Sequence, residues 1–180
     1  MCFYLIFHKS FHKHMRTSTL PHVKNQPTIL TEVRFLSMVE EAGEQSMPDL
    51  VAYVDGGSLG NPGPAGVGVI IDGCEQGRIT IGKWIGQQDN NVAEYLALLE
   101  ALQCAVSLKA EKLHVYSDSE VVVRQMMGDY NCRSSRLYSL NWLCRKLARS
   151  LEFSISHISR EHNSEANRLA GAAARKRAGR

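Results

Sequence analysis

The order of the predicted elements after Pro48 is the feature that most constrains the fold. Short apolar segments at Leu50–Val54, Gly66–Ile71 and Arg78–Ile85 predict three consecutive strands, and Asp72-Gly73 is a turn signal typical of a hairpin. The patterns that follow predict a helix, a strand, two helices, a strand and a last helix: Asn90–Leu108, Leu113–Tyr116, Val121–Met126, Ser134–Ser150, Glu152–Ile158 and Ser164–Lys176. Three strands in a row followed by this alternation predict an α/β fold, in which helices flank a mixed sheet.

Three acidic residues stand where such a sheet could bring them together. Asp55 ends the first predicted strand, Asp118 follows the fourth, and Glu94 lies in the first turns of the first long helix. Carboxylate oxygens are ligands that Mg²⁺ prefers, and two such ions can activate a water and stabilise a leaving oxygen in phosphodiester cleavage. The three residues therefore predict a metal centre.

Each acid also has a purely structural interpretation. Asp118 could cap a helix, Asp55 could be a turn residue before two glycines, and Glu94 could be a surface charge. Glu94 fits its alternative least well, because it lies beside the predicted apolar stripe of its helix, formed by Val92, Tyr95, Leu96, Leu99, Leu102 and Val106.

Four segments, in order along the chain, resemble the motifs of the type 1 ribonuclease H family. They are Tyr53–Gly66 (YVDGGSLGNPGPAG), Asn90–Ala97 (NNVAEYLA), Tyr116–Ser119 (YSDS) followed by Arg124-Gln125, and Arg160–Ala170 (REHNSEANRLA). One such motif is weak evidence, but four in order between about residues 50 and 175 are strong. The resemblance implies a ribonuclease H-like fold, whose five-stranded mixed sheet has three antiparallel strands followed by parallel ones.

The resemblance also implies an endoribonuclease that cleaves the RNA strand of RNA–DNA hybrids. The carboxylates of Asp55, Glu94 and Asp118 would bind two divalent ions, Mg²⁺ or Mn²⁺. The implied substrate contacts are Gly56, Ser58, Asn61, Asn91, Ser119 and Arg124. An asparagine amide both donates and accepts hydrogen bonds, as does the 2′-hydroxyl that distinguishes RNA from DNA. A plain turn at Asn61 and helix capping by Asn90 or Asn91 are the structural alternatives.

Two positions depart from the family pattern. Asn167 stands where the family usually has a fourth carboxylate; its amide offers an oxygen without negative charge, so the second ion should be held less firmly. We keep Asn167 in the predicted catalytic and metal-binding set. His162 is the candidate for the loop histidine that assists proton transfer or product release in bacterial members, whereas His157, in a predicted strand, is assigned a structural role.

The asparagine at position 167 leaves alternative functions open. A catalytically weakened or inactive module that binds hybrid or duplex is one, and a ribonuclease H domain derived from a retroelement is another. The three intact carboxylates favour the enzyme, because a binding module does not need crowded carboxylates facing phosphates.

The basic residues are concentrated in the second half of the chain. In residues 1–50, five Lys/Arg and five Asp/Glu cancel, so the net charge of +3 belongs to residues 51–180. Between Arg124 and Arg149 there are six Lys/Arg and a single acid, Asp129. This cluster predicts contacts with nucleic-acid phosphates, although a solvated helix face is the plainer interpretation.

The chain ends are predicted to lie outside the domain. Residues 1–49 are interpreted as a poorly ordered extension with a short helix over Thr31–Glu44, residues 50–176 as the ribonuclease H domain, and residues 177–180 as a basic tail. The extension's four histidines are irregularly spaced and have no cysteine partners, which favours an unstructured tail over a metal site. Met15, Met38 or Met47 could each begin a shorter chain.

Cysteine usage and hydropathy bear on location. The five cysteines show no C-x-x-C spacing, which is typical of reduced thiols in a reducing compartment. No run of about 18 apolar residues is present. We therefore predict a cytoplasmic protein without a membrane partner, and a monomer.

Overall fold

A computed structural model describes residues 48–176, which form five strands and four helices. The strands are β1 (Asp49–Ser58), β2 (Gly63–Asp72), β3 (Ile79–Gln88), β4 (Lys112–Ser117) and β5 (Glu152–His157). The helices are α1 (Asn90–Ser107), α2 (Glu120–Met127), α3 (Ser135–Ala148) and α4 (Ser164–Arg175). Their order confirms the predicted succession. The predictions for the histidines of the extension, for a helix over Thr31–Glu44 and for the basic tail fall outside the described residues.

The five strands form one mixed sheet in the order β3-β2-β1-β4-β5. β1 pairs with β2, and β2 with β3, in antiparallel fashion, whereas β4 is parallel to both β1 and β5. The predicted sheet of three antiparallel strands followed by parallel ones is confirmed. Because Val54 of β1 is in register with Ser117 of β4, the residues that follow each of them lie side by side.

The first strand does not end at Asp55, as the sequence predicted. β1 continues to Ser58, which is paired with Ala65 of β2. A turn at Asp55 before the two glycines was the structural alternative, yet Gly56 and Gly57 are both paired with β2. A cross-strand ladder can satisfy the hydrogen bonds of any extended backbone. Only residues 59–62 remain between the two strands. Asp55 therefore lies within β1, and the residues before and after it are both paired with β2.

The buried face of α1 differs in part from the predicted stripe. Val92, Tyr95 and Leu102 are buried as expected, but Val106 is 38% exposed. The closest packing is made by Leu98 and by small side chains, Ala97, Ala101 and Ala105, which are fully buried. Small side chains let a helix lie close to a sheet. The side of α1 that packs on the sheet is therefore determined by the small size of its side chains more than by their hydrophobicity. Glu94 lies on the same face, which makes its interpretation as a surface charge wrong.

Glycines in β2 and alanines in α4 bring the last helix against the sheet. A Cβ atom at Gly68 would lie 2.1 Å from the carbonyl oxygen of Ala166, and one at Gly66 would lie 2.5 Å from that of Ala170. Ala166 and Ala170 are themselves buried. This close approach places the first turn of α4 at the ends of β1 and β4.

Within residues 48–176, no helix has the length and hydropathy needed to cross a bilayer.

Candidate metal centre

Three carboxylates meet at one edge of the sheet. One oxygen each of Asp55, Glu94 and Asp118 can be chosen so that the three atoms lie within 4.8 Å of one another. Asp55 is 6% exposed, Glu94 is 8% exposed, and Asp118 is half-buried. Asp55 and Asp118 are neighbours because β1 and β4 are parallel and in register just before them. The structure thus brings together the three acids that the sequence predicted as metal ligands.

Gly56 sets the position of Glu94 against the end of β1. A Cβ atom at Gly56 would lie 2.0 Å from the carbonyl carbon of Ala93, so only glycine lets α1 cross the strand at this point. The Gly56 amide donates a hydrogen bond to Glu94 Oε2 at 3.3 Å. The sequence predicted Gly56 as a substrate contact, and the structure gives it a packing role next to the carboxylates.

Burial and mutual repulsion change the ionisation of this cluster. Burial, with smaller contributions from the Asp55 and Asp118 charges, raises the pKa of Glu94 to about 9. Burial, followed by the charge of Asp118, raises the pKa of Asp55 to about 7. The Arg160 guanidinium acts in the opposite direction on the pKa of both groups. Burial and mutual repulsion therefore both disfavour the charged forms of Asp55 and Glu94.

Two asparagines of the last motif orient Asp118. Asn163, which is 1% exposed, donates through Nδ2 to Asp118 Oδ1 at 2.8 Å and to the Val54 carbonyl at 2.9 Å. Asn167 donates through Nδ2 to Asp118 Oδ2 at 3.1 Å. The Oδ1 atoms of both asparagines are buried and accept no hydrogen bond. Asn167 thus lies at the carboxylates, where the motif placed it.

The loop before α4 contributes Arg160 rather than His162. His162 is exposed, and its Nδ1 lies 2.9 Å from Ser159 Oγ within its own loop. Within the described residues, no hydrogen bond joins His162 to the three carboxylates. Arg160, whose charge acts on Asp55 and Glu94, was quoted in the fourth motif but given no role. Its position in the loop after β5, the strand that pairs in parallel with β4, was the available signal.

The predicted substrate residues of the Gly-rich segment form a rim beside Glu94. Asn61 Oδ1 accepts a hydrogen bond from the Asn90 amide at 3.0 Å, and Asn90 Oδ1 accepts one from the Ser58 amide at 3.3 Å. Asn90 Nδ2 also reaches Glu94 Oε1 at 3.5 Å. Asn91 is exposed in the first turn of α1. The residue at the N-cap is Asp89, so the capping interpretation of Asn90 and Asn91 is wrong.

Ser119 and Arg124 are engaged locally. Ser119 is the N-cap of α2, where its side chain accepts a hydrogen bond from the Val122 amide at 3.5 Å. Ser119, and not Asp118, therefore has the capping role that was the alternative for Asp118. Arg124 pairs with Asp129 at 3.1 Å and with Glu120 at 3.6 Å, so its charge is balanced within its own surroundings.

Known proteins share the sequence pattern and the fold of this chain. A family model described as "Reverse transcriptase-like" matches residues 53–173. Ribonuclease HI of Halobacterium salinarum is 36% identical over 124 residues, which are 68% of this chain and 62% of that protein. The crystal structure of RNase H1 from the same archaeon matches with a TM-score of 0.66 and 35% identity, over 69% of this chain and 96% of that one.

Two further structures match over nearly their whole length. The N-terminal RNase H domain of a Mycobacterium tuberculosis protein, solved as a fusion, gives a TM-score of 0.63 at 36% identity, with 69% of this chain and 98% of that chain covered. LC11-RNase H1 was isolated from compost by a metagenomic approach. Its structure in complex with an RNA/DNA hybrid gives a TM-score of 0.63 at 34% identity, with 71% of this chain and 98% of that chain covered. The match spans only 34% of the curated bifunctional protein from M. tuberculosis.

Proposed function

Because this chain belongs to the type 1 ribonuclease H family, we propose that it hydrolyses the RNA strand of RNA–DNA hybrids with the help of two divalent metal ions. The observation that carries the proposal is the meeting of the Asp55, Glu94 and Asp118 carboxylates within 4.8 Å. The RNA/DNA hybrid named for LC11-RNase H1, a relative at 34% identity, supports the choice of substrate.

The donor set fits a divalent cation. Asp55, Glu94 and Asp118 supply hard oxygen ligands. Burial, followed by repulsion from neighbouring carboxylates, raises the pKa of Asp55 and of Glu94, and a bound cation would offset both effects. The unpartnered Asn167 Oδ1 adds a nearby neutral oxygen. Mg²⁺ is the proposed ion, with Mn²⁺ as the alternative. When bound, two such ions would activate the attacking water and stabilise the leaving oxygen.

The protein's own groups hold the carboxylates in place. The amide of Gly56 fixes one Glu94 oxygen, and the side-chain amides of Asn163 and Asn167 each hold one oxygen of Asp118. Arg160 lowers the cost of keeping Asp55 and Glu94 ionised. Such an arrangement limits reorganisation during the reaction, which is where electrostatic catalysis gains most.

Recognition of RNA is proposed for the rim formed by Ser58, Asn61 and the Asn90-Asn91 pair. Asn90 contacts Glu94, and Ser58 and Asn61 hydrogen-bond to Asn90. An asparagine side-chain amide can both donate to and accept from a 2′-hydroxyl. Three of the predicted substrate contacts rank lower, because the structure gives each a local packing, capping or ion-pairing role: Gly56, Ser119 and Arg124. His162 remains the candidate for proton transfer or product release, although its ring lies against Ser159 within its own loop.

The test of the function is a comparison of substrates with the purified full chain. An RNA–DNA hybrid, a DNA duplex and an RNA duplex of one sequence are incubated with Mg²⁺, with Mn²⁺ or with EDTA. We expect cleavage of the RNA in the hybrid alone, and none in EDTA. Equal cleavage of the DNA duplex would refute the selectivity. Hybrid binding without cleavage under any metal would instead support the inactive binding module.

The stability of the metal-free protein should depend on pH through Glu94. Its pKa is about 9 in the folded protein against an ordinary 4.5, so the native state keeps a proton that the unfolded chain releases. Stability is therefore lost as pH rises between these two values. In EDTA, Glu94→Gln should be more stable than the parent, and the gain in Tm should grow from pH 5 to pH 9, with each 1 kcal/mol worth roughly 2–4 °C.

The control for this measurement is Glu100→Gln on the same helix. Glu100 is half-buried and pairs with Lys83, away from the three carboxylates. Circular dichroism melts at pH 5, 7 and 9 give the three differences. A gain in Tm for Glu94→Gln that stays constant with pH would contradict the proposed cost of burying its charge.

Residues 50–176 are proposed to be the functional domain. They include the whole sheet from Leu50 onward, the four helices and the carboxylates. Deleting residues 1–46 should therefore change the rate of hybrid cleavage by less than about twofold. Loss of soluble, active protein on truncation would show that the domain needs the preceding segment. A cytoplasmic location is also proposed, since the four described cysteines are free thiols, as is typical of a reducing compartment: Cys74, Cys104, Cys132 and Cys144. The monomeric state remains a prediction.

A further inference from the structure

An aromatic groove lies between α2, α3 and the segment that joins them. Its volume is about 500 Å³. Three large rings at its surface are unusually exposed: Tyr130 at 50%, Tyr138 at 59% and Trp142 at 55%. Tyr138 and Trp142 are four residues apart on α3, so their side chains lie on the same face of the helix. None of these rings contributes to the buried core, which leaves their size without a structural reason.

The floor of the groove is preformed. Arg145 donates through Nη2 to the Gln125 carbonyl at 2.6 Å and through Nε to Asn141 Oδ1 at 3.2 Å. Asn141 in turn donates to the hydroxyl of the fully buried Tyr95 at 3.0 Å. These bonds connect the groove to the core through Tyr95. Few side chains of the floor therefore have to become ordered when a ligand binds.

The charge around the groove selects an anionic ligand. The only acid between residues 124 and 149, Asp129, pairs with Arg124, and Arg136 pairs with Asp89. Between residues 124 and 149, the ion pairs that the structure describes leave four cations without a carboxylate partner: Arg133, Arg145, Lys146 and Arg149. Arg145 hydrogen-bonds within the floor of the groove. The Lys146 ammonium lies 5.2 Å from the centroid of the Trp142 ring. The groove therefore combines flat exposed rings with uncompensated positive charge.

We propose that this groove binds single-stranded nucleic acid, with bases stacked on Tyr130, Tyr138 and Trp142 and phosphates near Arg133, Lys146 and Arg149. A single strand fits better than a duplex, because the faces of paired bases are already covered by their neighbours. Arg136, at the start of α3, contacts Gln88 and Asp89 just before Asn90 of the rim. The inference thus rests on the proposed function: the groove would hold an unpaired strand that continues beyond a hybrid at the carboxylates.

The two tryptophans of the chain provide a direct test. In Trp84→Phe, Trp142 is the only tryptophan, whereas Trp142→Phe leaves only Trp84, and excitation that is selective for tryptophan reports on each in turn. Full-length proteins are titrated in EDTA with oligodeoxythymidylate and, separately, oligouridylate. We expect saturable quenching of Trp142 fluorescence, weakened by salt, and no quenching in the Trp142→Phe protein. The two oligonucleotides distinguish a DNA strand from an RNA strand as the occupant.

Affinity measurements separate this groove from the metal centre. The double variant Tyr138→Ala/Trp142→Ala should bind a hybrid with a single-stranded tail at least about fivefold more weakly for each ring removed, since base stacking on an aromatic side chain is worth about 1–3 kcal/mol. Its affinity for a blunt hybrid should not change. Val106→Ala, which alters an exposed apolar residue of α1 far along the helix from Glu94, is the control.

Several outcomes would overturn the proposal. They are equal quenching of Trp84 and Trp142, equal losses for tailed and blunt hybrids, and a dimer in sedimentation that the double variant dissociates, which would make the surface a self-association site. Circular dichroism shows whether each variant is folded. If single strands bind in EDTA but no hybrid is cleaved with any metal, the proposed function fails while the groove stands.

Discussion

Asp55→Asn and Glu94→Gln should each lower the rate of hybrid cleavage by at least about 100-fold while the protein stays folded. Each substitution removes a negative ligand from the carboxylate cluster and keeps the shape of the side chain. A loss of 10²–10³-fold is typical when a single preorganised electrostatic group is removed. Because burial raises the pKa of both groups, a neutral side chain relieves a cost in the metal-free protein.

Asp118→Asn should affect folding stability as well as metal binding. The Asp118 carboxylate accepts hydrogen bonds from the side-chain amides of Asn163 and Asn167, so an amide at position 118 would place one N–H donor against another. We expect the same loss of activity together with a lower Tm. The measurement is single-turnover cleavage of hybrid with Mg²⁺, with circular dichroism as the check on folding.

Glu100→Gln is the matched control for the carboxylate series. It carries the same chemical change on the same helix as Glu94, but at a residue that pairs with Lys83. Its cleavage rate should stay close to that of the parent. If the Asp55, Glu94 and Asp118 variants all cleaved hybrid like Glu100→Gln, the assignment of the metal centre would be wrong.

The order of the elements was sufficient to predict an α/β fold with a mixed sheet that could bring the acids together. The resemblance to the type 1 ribonuclease H family implied the strand directions and the metal-binding role of Asp55, Glu94 and Asp118. The local composition predicted the wrong end for β1, because pairing with β2 determines how far that strand extends. The first strand was predicted to end at Asp55, before two glycines, but Gly56 and Gly57 extend β1 because β2 supplies their hydrogen-bond partners.

Other parts of the site depend on contacts that no local pattern contains. Gly56 is fixed by the approach of the Ala93 backbone, which comes from an element more than 30 residues later in the chain. Asn163 links the Val54 carbonyl to Asp118 across three elements. The exposure of Val106 follows from the alanines that bring α1 close to the sheet on another face. These are consequences of packing, which periodicity alone does not resolve.

The aspartate variant of Asn167 should need about tenfold less Mg²⁺ for half-maximal cleavage than the parent, a difference of about 1.4 kcal/mol. In the parent, Asn167 Nδ2 donates to Asp118 Oδ2 at 3.1 Å, so an N–H group rather than an oxygen faces that carboxylate. Asn167→Asp replaces this donor by a second negative charge. Without a cation, the carboxylates at positions 118 and 167 repel each other. A bound cation attracts both of them, which outweighs that repulsion.

The sign of the stability change follows from the same contact. In EDTA at neutral pH, Asn167→Asp should melt below the parent, because it loses a hydrogen bond and gains a like charge. Added Mg²⁺ or Mn²⁺ should raise the Tm of the variant by more than that of the parent. Any advantage of Mn²⁺ over Mg²⁺ in the parent should shrink, since Mg²⁺ is dehydrated reluctantly and gains most from an added anionic ligand.

The control for Asn167→Asp is Ala172→Asp, which adds the same charge to an exposed position of α4. It should leave the metal titration unchanged, because its charge is solvated and remote from Asp118. If Asn167→Asp and Ala172→Asp gave the same midpoint as the parent, position 167 would have no part in binding the ions. If the parent cleaved nothing with any metal and only Asn167→Asp cleaved hybrid, the natural chain would be a hybrid-binding module whose activity was lost at this single residue.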